Sequence, residues 1–255
     1  MKNYLEAALE ITEQASSIPR SYFRMNVSID EKQDESPVTI ADRETEAFIR
    51  KRLAEEFPDH GIFGEEFGRS AAKSDYEWII DPIDGTRSFI TGNPLYGMLL
   101  ALLKNGKPEL GIVRMPELNE VYVGANGAAI RNGDEPVHVS GITQIAEAAL
   151  YINEGDKMQG QYPVLFKNLC AAGKTKRLAY DCYPHMLLAA GHIDAVVDFD
   201  LQPYDYLPLV SVIEGAGGVM TDWQGNALNL ESDGKVVCAA TTALHQELLG
   251  LINQT

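Results

Sequence analysis

Hydrophobic and polar residues alternate along the chain with two different periods, and each period predicts one kind of element. Near the start, apolar residues recur every three or four positions over residues 3–16, which predicts an amphipathic helix. A polar stretch over residues 28–44 predicts a loop or an exposed ribbon that ends at the start of a helix. Asp42 suits the N-cap position of that second helix, which we expect to run to about Glu56.

Short apolar runs bounded by turn residues predict strands in the middle of the chain. Trp78–Ile80 predicts a short buried strand. Three apolar runs follow over residues 95–133, separated by Asn105-Gly106 and by residues 116–119. Turn residues between such runs are typical of hairpins, so this segment predicts an antiparallel meander.

The second half of the chain alternates between strand and helix patterns. It predicts strands at about 148–152, 195–197, 218–221 and 236–239, and helices at about 159–171, at 182–191, from Pro203 and from 242. This order predicts an α/β layered (α+β) fold. A Rossmann domain has a G-x-G-x-x-G motif after its first strand, and this sequence has no such motif there, so we do not expect a Rossmann domain. We expect one unit over residues 1–255, with closely packed halves of about 1–140 and 141–255.

Charge narrows the range of partners. The chain has 21 basic and 37 acidic residues, a net charge of −16, which repels nucleic acid and anionic membranes. A phosphorylated small molecule is still compatible with this charge if metal ions reverse the local sign.

No stretch approaches the roughly 20 apolar residues of a membrane span. The first residues do not resemble a signal peptide, and the three cysteines form no C-x-x-C pair, so we expect a cytoplasmic protein.

The segment WIIDPIDGTRSF, residues 78–89, concentrates the candidate chemistry. We expect Asp81 and Asp84 on a loop at the end of the predicted strand, stiffened by Pro82. The two carboxylates and the Ile83 carbonyl between them are hard oxygen ligands of the kind that Mg²⁺ prefers. An Asx-type turn without a metal explains the same spacing, and the spacing alone leaves both interpretations open.

Gly85 and Thr86 favour the metal interpretation. TRSFITG predicts a short helix that ends at Gly92, so the Gly85 and Thr86 amides would lie at its N-terminus, where phosphate binds. A metal site beside an anion site is the layout of phosphoryl-transfer catalysis.

Other acidic residues are ambiguous when each is considered alone. Glu65 and Glu66 lie on a predicted turn, where such residues are usually solvated and at most one would bind a metal directly. Asp205 falls in the first turn of a predicted buried helix, where it also complements the helix dipole. Asp198 and Asp200 follow a predicted strand and would either line the same pocket or cap the loop. The histidines have no zinc-ligand spacing.

Four motifs together, SPVTIADRE, GEE, WIIDPIDGT and PYDYLPLVSVIEGAGGVMTDWQG, closely resemble the inositol monophosphatase superfamily. Members of this superfamily are Mg²⁺-dependent, lithium-sensitive phosphomonoesterases. The resemblance runs from the first motif to the C-terminus and implies an αβαβα sandwich that is usually a homodimer.

The resemblance assigns roles to these positions as one site. It implies a metal site for Mg²⁺ formed by the residues Glu65, Asp81, Ile83 (through its carbonyl), Asp84 and Asp205. It makes Gly85 and Thr86 the phosphate cradle and pairs the Thr86 hydroxyl with Asp42. Glu65, Thr86 and Asp42 would then act in catalysis, by orienting and deprotonating a water that attacks phosphorus in line.

Within the superfamily, the contexts of Arg87 and Asp181 are most similar to the histidinol-phosphate phosphatase branch. Arg87 stands where that branch often has Lys, and Asp198 stands where Glu is common. The segment YINEGDKMQG does not match the branch well. Asp198, Asp181 and Asp200 would form an acidic rim suited to the cationic histidinol group. The alternatives are a phosphatase of inositol 1-phosphate or another small phosphomonoester, and a catalytically idle metal-dependent binding protein.

Overall fold

A computed structural model of the protein describes residues 2–25, 28–31 and 37–254. The helices are α1 (Lys2–Ala15), α2 (Ser17–Tyr22), α3 (Ile40–Glu56), α4 (Thr86–Ile90), α5 (Gly155–Gln161), α6 (Pro163–Ala171), α7 (Tyr183–Ala189), α8 (Pro203–Gly215) and α9 (Thr242–Ile252), with a 3₁₀ turn at Ile145–Glu147. The strands are β1 (Ile29–Glu31), β2 (Pro37–Thr39), β3 (Gly61–Gly64), β4 (Gly68–Ser70), β5 (Tyr76–Asp84), β6 (Gly97–Lys104), β7 (Lys107–Met115), β8 (Glu120–Ala125), β9 (Ala128–Arg131), β10 (Glu135–Pro136), β11 (Ala149–Asn153), β12 (Thr175–Ala179), β13 (Ala195–Asp198), β14 (Val219–Asp222) and β15 (Val236–Ala239).

The larger sheet has the strand order β10-β9-β8-β7-β6-β5-β3-β4, and its strands from β5 to β10 pair antiparallel. The predicted meander is therefore confirmed. Its first turn follows from local chemistry: Asn105 (φ 51°) and Gly106 (φ 77°) both have positive φ, as a two-residue type I′ turn requires. The smaller sheet has the order β12-β11-β13-β15-β14.

Both faces of the larger sheet are buried, because apolar residues occupy both faces of its central strands. In β6, Leu99 and Ala101 belong to the cluster shared with α7, α8 and the smaller sheet. Leu100 and Leu102, on the opposite face, belong to the cluster shared with α1 and α3. Helices α6 and α9 pack in a third cluster with the far side of the smaller sheet. The layers therefore run helix, sheet, helix, sheet, helix, and the predicted αβαβα sandwich is confirmed.

Helix α8, in the middle layer, lies directly against the backbone of the larger sheet at two glycines. A Cβ atom on Gly111 of β7 would overlap the Pro208 carbonyl oxygen, and one on Gly124 of β8 would overlap the Ser211 carbonyl. Neither position has room for a larger residue, so the two glycines set the distance between helix and sheet. Since α8 carries Asp205 in its first turn, this distance also places that carboxylate.

Strand β5 is longer than the sequence predicts, and Asp81 and Asp84 lie within it, not on a loop after it. The pairing with β6 shifts register between them: Asp81 is opposite Leu99, and Asp84 is opposite Gly97. A bulge tolerates the missing N–H of Pro82. The Ile83 amide donates to Asp81 Oδ1 over 3.0 Å, which satisfies a buried group that lies in the irregular part of the ladder.

The structure differs from the sequence prediction at two further elements. The helix predicted over 159–171 is two helices, α5 and α6, because Tyr162 leaves the helical conformation and Pro163 starts the next helix. Strand β12 was not predicted, since it is an edge strand with exposed residues and no apolar alternation. The sheets divide between residues 136 and 149, while the division into two halves stays a prediction.

The polar stretch at 28–44 is an antiparallel pair of β1 and β2 leading into α3, and its residues 32–36 lie outside the described part. Within residues 2–25, 28–31 and 37–254, no helix has both the length and the apolar content needed to cross a bilayer.

Candidate active site

The predicted site residues converge on one cavity of about 620 Å³, at the edge where β5 and the carboxyl ends of β11 and β13 meet the start of α8. Asp42 is the exception and lies buried behind the cavity. We call two parts of the lining the buried wall and the outer wall. The buried wall is Asp81, Asp84, Gly85, Thr86 and Asp205. The outer wall is Glu154, Asp156, Lys157, Tyr180 and Asp200.

Three carboxylates of the buried wall form a candidate metal centre. Ligand atoms of Asp81, Asp84 and Asp205 lie within 4.8 Å of one another. Burial raises the pKa of both Asp81 and Asp84, and repulsion from the neighbouring carboxylates raises each further. A divalent cation would neutralise this repulsion, and the donors are all hard oxygens, so the residues present fit such an ion.

Asp205 is held by the start of α8. It occupies the third helical position, where its Oδ2 accepts from the Gln202 amide over 2.7 Å in a capping box. Its predicted place in the first turn of a buried helix is confirmed.

Glu65 lies in the turn between β3 and β4 and also lines the cavity. Its charge is among those that raise the pKa of Asp81, after burial. The turn is held by Glu46, a fully buried residue of α3 that accepts from the Glu66 amide (2.7 Å) and the Phe67 amide (3.2 Å). Sequence reasoning missed Glu46. Its position one helical turn after Asp42, on the buried face of α3, was the available signal.

Asp42 is not the N-cap of α3. Thr39 is the N-cap, and Asp42 is the third helical residue of a capping box. Asp42 Oδ2 accepts from the Thr39 amide (2.9 Å) and the Thr39 hydroxyl (2.6 Å), while Oδ1 accepts from the Thr86 hydroxyl (3.1 Å). Burial raises the pKa of Asp42, and these hydrogen bonds act against the rise. The Thr86–Asp42 pair that the resemblance implied is present in the structure.

Gly85 joins β5 to α4 in a conformation that excludes a side chain. Its φ is 90°, in the left-handed region, and a Cβ atom would lie 2.5 Å from Asp181 Cγ. The Asp181 carboxylate accepts from the Ser88 hydroxyl. Its pKa is raised to about 6, mainly by burial and also by Glu154, while the Ser88 hydrogen bond and Arg87 act to lower it.

The Asp181 segment also reaches the metal centre. The amide of Cys182 donates to Asp84 Oδ2 over 2.5 Å. Asp198, the last residue of β13, is buried and lines the same cavity. Its Oδ1 accepts from the Phe199 amide (2.8 Å) and its Oδ2 from Asn153 (2.8 Å). Burial raises the pKa of Asp198, and these two bonds oppose the rise.

The outer wall is acidic and more exposed. Lys157 pairs with Glu154 (2.6 Å) and with Asp200 (2.9 Å). Asp156 is exposed in the first turn of α5, and Tyr180 is 45% exposed. Sequence reasoning missed the role of α5 in lining the cavity, because the segment YINEGDKMQG carries no motif that points to a site.

Comparison with known proteins places this architecture in a family. The sequence model of the inositol monophosphatase family matches residues 1–255. A histidinol-phosphatase from Chlorobaculum parvum is 36% identical over 97% of this chain and 96% of its own. The bifunctional phosphatase IMPL2, chloroplastic, from Arabidopsis thaliana is 37% identical over 94% of this chain and 72% of its own. An inositol monophosphatase structure from Zymomonas mobilis has a TM-score of 0.89 and 36% identity, covering 99% of this chain and 98% of that one.

The chain belongs to the inositol monophosphatase family. The family match and the histidinol-phosphatase relatives identify a phosphoric monoester hydrolase that acts on small phosphomonoesters, in the histidinol-phosphatase branch. Members of the family are metal-dependent, which agrees with the three-carboxylate cluster. The alternative of a catalytically idle binding protein is therefore set aside.

Proposed function

We propose that this phosphatase is Mg²⁺-dependent and hydrolyses L-histidinol phosphate to L-histidinol and phosphate, a step of histidine biosynthesis. The observation that carries the substrate assignment is the outer wall, which has three carboxylates and one lysine, and the lysine pairs with two of the three. Asp181 and Asp198 add two more carboxyl groups between this wall and the metal centre. Histidinol carries an ammonium and an imidazole, and a neutral polyol would gain nothing from so much negative charge.

The buried wall would hold the metal and the phosphate. Glu65, Asp81, Asp84 and Asp205 would bind Mg²⁺ with the Ile83 carbonyl, and the Gly85 and Thr86 amides would hold phosphate oxygens. When bound, Mg²⁺ supplies positive charge to the phosphate oxygens and lowers the pKa of a coordinated water.

Thr86 and Asp42 would prepare the attacking water. The Thr86 hydroxyl has one proton and two acceptors in reach, Asp42 Oδ1 at 3.1 Å and the Ile83 carbonyl at 3.3 Å. With the proton on the shorter bond, to Asp42, the lone pairs of the hydroxyl face away from Asp42 and can accept from a water. Glu65, across the cavity, would be the second acceptor. The two groups hold a water so that a lone pair points at phosphorus opposite the leaving oxygen, as in-line displacement requires.

The leaving group would lie between Asp198 and the outer wall. Asp198 is fixed by two donors, so it keeps a defined orientation toward the cavity. Arg87, exposed at the start of α4, would counter the phosphate charge at the entrance. A location in the cytoplasm, predicted from the first residues and the cysteine pattern, and a homodimer, implied by the resemblance, complete the proposal.

A second candidate substrate is inositol 1-phosphate. The Zymomonas mobilis structure named as an inositol monophosphatase is as similar in sequence, at 36% identity, as the Chlorobaculum parvum histidinol-phosphatase. The acidic outer wall of this chain is the feature that favours the cationic substrate.

The test is phosphate release from the two substrates in parallel, with Mg²⁺ and with Ca²⁺ as the metal control. We expect histidinol phosphate to be preferred by about 100-fold in kcat/KM, which corresponds to about 3 kcal/mol of discrimination in the transition state. Equal or faster phosphate release from inositol 1-phosphate would overturn the assignment of histidinol phosphate as substrate, but not the assignment of phosphatase activity. Full activity with Ca²⁺ would overturn the metal assignment.

A further inference from the structure

Asn153 lies behind the cavity wall at a junction of three strands. Strand β11 is parallel to both of its neighbours, β12 and β13. Asn153 ends β11, Asp198 ends β13, and Asp181 follows β12 by two residues. Carboxyl ends of parallel strands meet at one edge of a sheet, which is where sheet proteins of this kind bind ligands. Asn153 is the central residue of this row and is fully buried.

The carboxamide of Asn153 bridges its two neighbours. Its Nδ2 atom donates to Asp198 Oδ2 over 2.8 Å and to the Asp181 carbonyl oxygen over 3.0 Å. An NH₂ group has two hydrogens, so one side chain can make both bonds at once. A leucine of similar size could make neither bond, and an aspartate would place a second carboxylate against the Asp198 carboxylate and the Asp181 carbonyl oxygen.

The bond to Asp198 fixes the orientation of a buried carboxylate. Without Asn153, Asp198 would keep the Phe199 amide as a hydrogen-bond donor, and its Oδ2 atom would have only the more distant His185 Nε2, at 3.7 Å, near it. A buried carboxylate that loses one of two donors either rotates toward another partner or takes up a proton. In both cases its charge and direction toward the cavity change.

The bond to Asp181 supports a strained turn that touches the buried wall. Asp181 has a φ of 62°, a left-handed conformation that costs a non-glycine residue about 1 kcal/mol. On one side of this turn, the Asp181 carboxylate packs over Gly85. On the other, the Cys182 amide donates to Asp84. A shift of this turn would therefore move groups at both the metal centre and the phosphate cradle.

We propose that Asn153 is a positioning residue that, through Asp198 and Asp181, fixes the position of the leaving-group end of the cavity relative to its phosphate end. The proposal rests on the proposed function, since it treats Asp198 as the contact to the leaving group. Its specific consequence is a substrate-dependent defect. In an Asn153 variant, hydrolysis of a substrate whose leaving group reaches Asp198 would be slowed through both Asp198 and Asp181. Hydrolysis of a substrate with an aryl leaving group would be slowed only through Asp181.

The experiment compares Asn153→Asp and Asn153→Ser with the unmodified protein, on histidinol phosphate and on p-nitrophenyl phosphate. Asn153→Asp keeps the shape and removes the donors, while Asn153→Ser removes the carboxamide without adding charge. We expect kcat/KM for histidinol phosphate to fall about 100-fold, and that for p-nitrophenyl phosphate to fall about 5-fold. Saturating substrate should not restore kcat, because misplacement of the reacting groups persists in the complex.

Asp194→Asn is the matched control for stability. Asp194 accepts from the Ala149 amide (2.7 Å) and from the Ser140 hydroxyl, at the opposite end of the same two strands. Where Asp194→Asn lowers the melting temperature as much as the Asn153 variants do, its kcat/KM should still be within about twofold of that of the unmodified protein on both substrates. Equal losses on the two substrates in the Asn153 variants, or losses no larger than those of the control, would overturn the positioning role.

The design separates this proposal from the substrate assignment. If the unmodified protein prefers inositol 1-phosphate, the assignment of histidinol phosphate as substrate fails. The loss of kcat/KM in the Asn153 variants is then compared between inositol 1-phosphate and p-nitrophenyl phosphate. A substrate-dependent defect would then still support Asn153 as a positioning residue, and its absence would contradict it.

Discussion

The buried wall and the outer wall line one cavity but are built in different ways. The residues of the buried wall lie on the bulge of β5, the adjoining turn and the first turns of α4 and α8. Hydrogen bonds from backbone amides hold all three of its carboxylates: Ile83 donates to Asp81, Cys182 to Asp84 and Gln202 to Asp205. The outer wall lies on α5 and on residues that follow strands of the smaller sheet, and its side chains are half-buried or exposed.

This difference separates the chemistry from the choice of substrate. Groups that bind a metal and a phosphate must keep their positions within about 0.5 Å, which side chains that are packed and hydrogen-bonded can do. Groups that select a leaving group by charge act over longer distances and through solvent, so exposed residues are sufficient. We therefore expect substitutions in the buried wall to lower turnover on every substrate, and those in the outer wall to change the preference between substrates.

The largest expected effect is that of Asp84→Asn in the buried wall. The loss of a charged metal ligand should reduce kcat/KM with Mg²⁺ by at least about 1,000-fold. Stability should not fall, because an amide oxygen still accepts from Cys182 and the repulsion from the other carboxylates decreases. Phosphate release and the melting temperature in a chelator measure the two effects. Turnover near that of the unmodified protein would contradict the metal site.

Gly85→Ala should have an intermediate effect. It places a Cβ atom against the Asp181 carboxylate and puts a non-glycine residue at a φ of 90°, so we expect a 10- to 100-fold loss of kcat/KM, by order of magnitude, and a melting temperature lower by about 2–8 °C. Gly127→Ala is the matched control. Gly127 has a φ of 72°, and apart from Gly127 and its two chain neighbours no described residue has an atom within 4 Å of the position that its Cβ atom would take, so this variant should lower stability only. A Gly85→Ala enzyme with normal activity would contradict the close approach of Asp181.

Asp156→Asn in the outer wall should have the smallest effect. It removes one exposed charge, so we expect KM for histidinol phosphate to rise about 2- to 5-fold at low salt and the difference to shrink at high salt. Hydrolysis of p-nitrophenyl phosphate should not change. Glu55→Gln, on an exposed position of α3, is the control for net charge. An equal rise in KM for both variants would mean that the whole surface, not this wall, attracts the substrate.

The sequence predicted the buried wall better than the outer wall, because the first is dominated by local motifs. Asp81, Ile83, Asp84, Gly85 and Thr86 are near neighbours in the chain, and one bulge and one turn suffice to bring them together. The strand was nevertheless predicted too short, since the bulge at Pro82 hides the continuation of β5 beyond Ile80.

The outer wall and the residues beside it, Asp181 and Asp198, are brought together by the pairing of strands that are distant in the chain, and local sequence patterns do not contain that information. Asn153 and Asp198 become neighbours only because β11 pairs with β13. Strand β12, which brings Asp181 to the cavity, is exposed and charged and has no apolar period to detect. The N-cap of α3 was a different kind of error: Thr39 and Asp42 both suit that position, and the reciprocal bonds of the capping box decide between them.

The glycines under α8 have a consequence for genetics. A side chain at Gly111 or Gly124 would push the helix off the sheet and carry Asp205 away from Asp81 and Asp84. Neither glycine lines the cavity. A screen for inactive alleles would therefore recover these two sites together with the metal ligands, although their defect would be one of assembly.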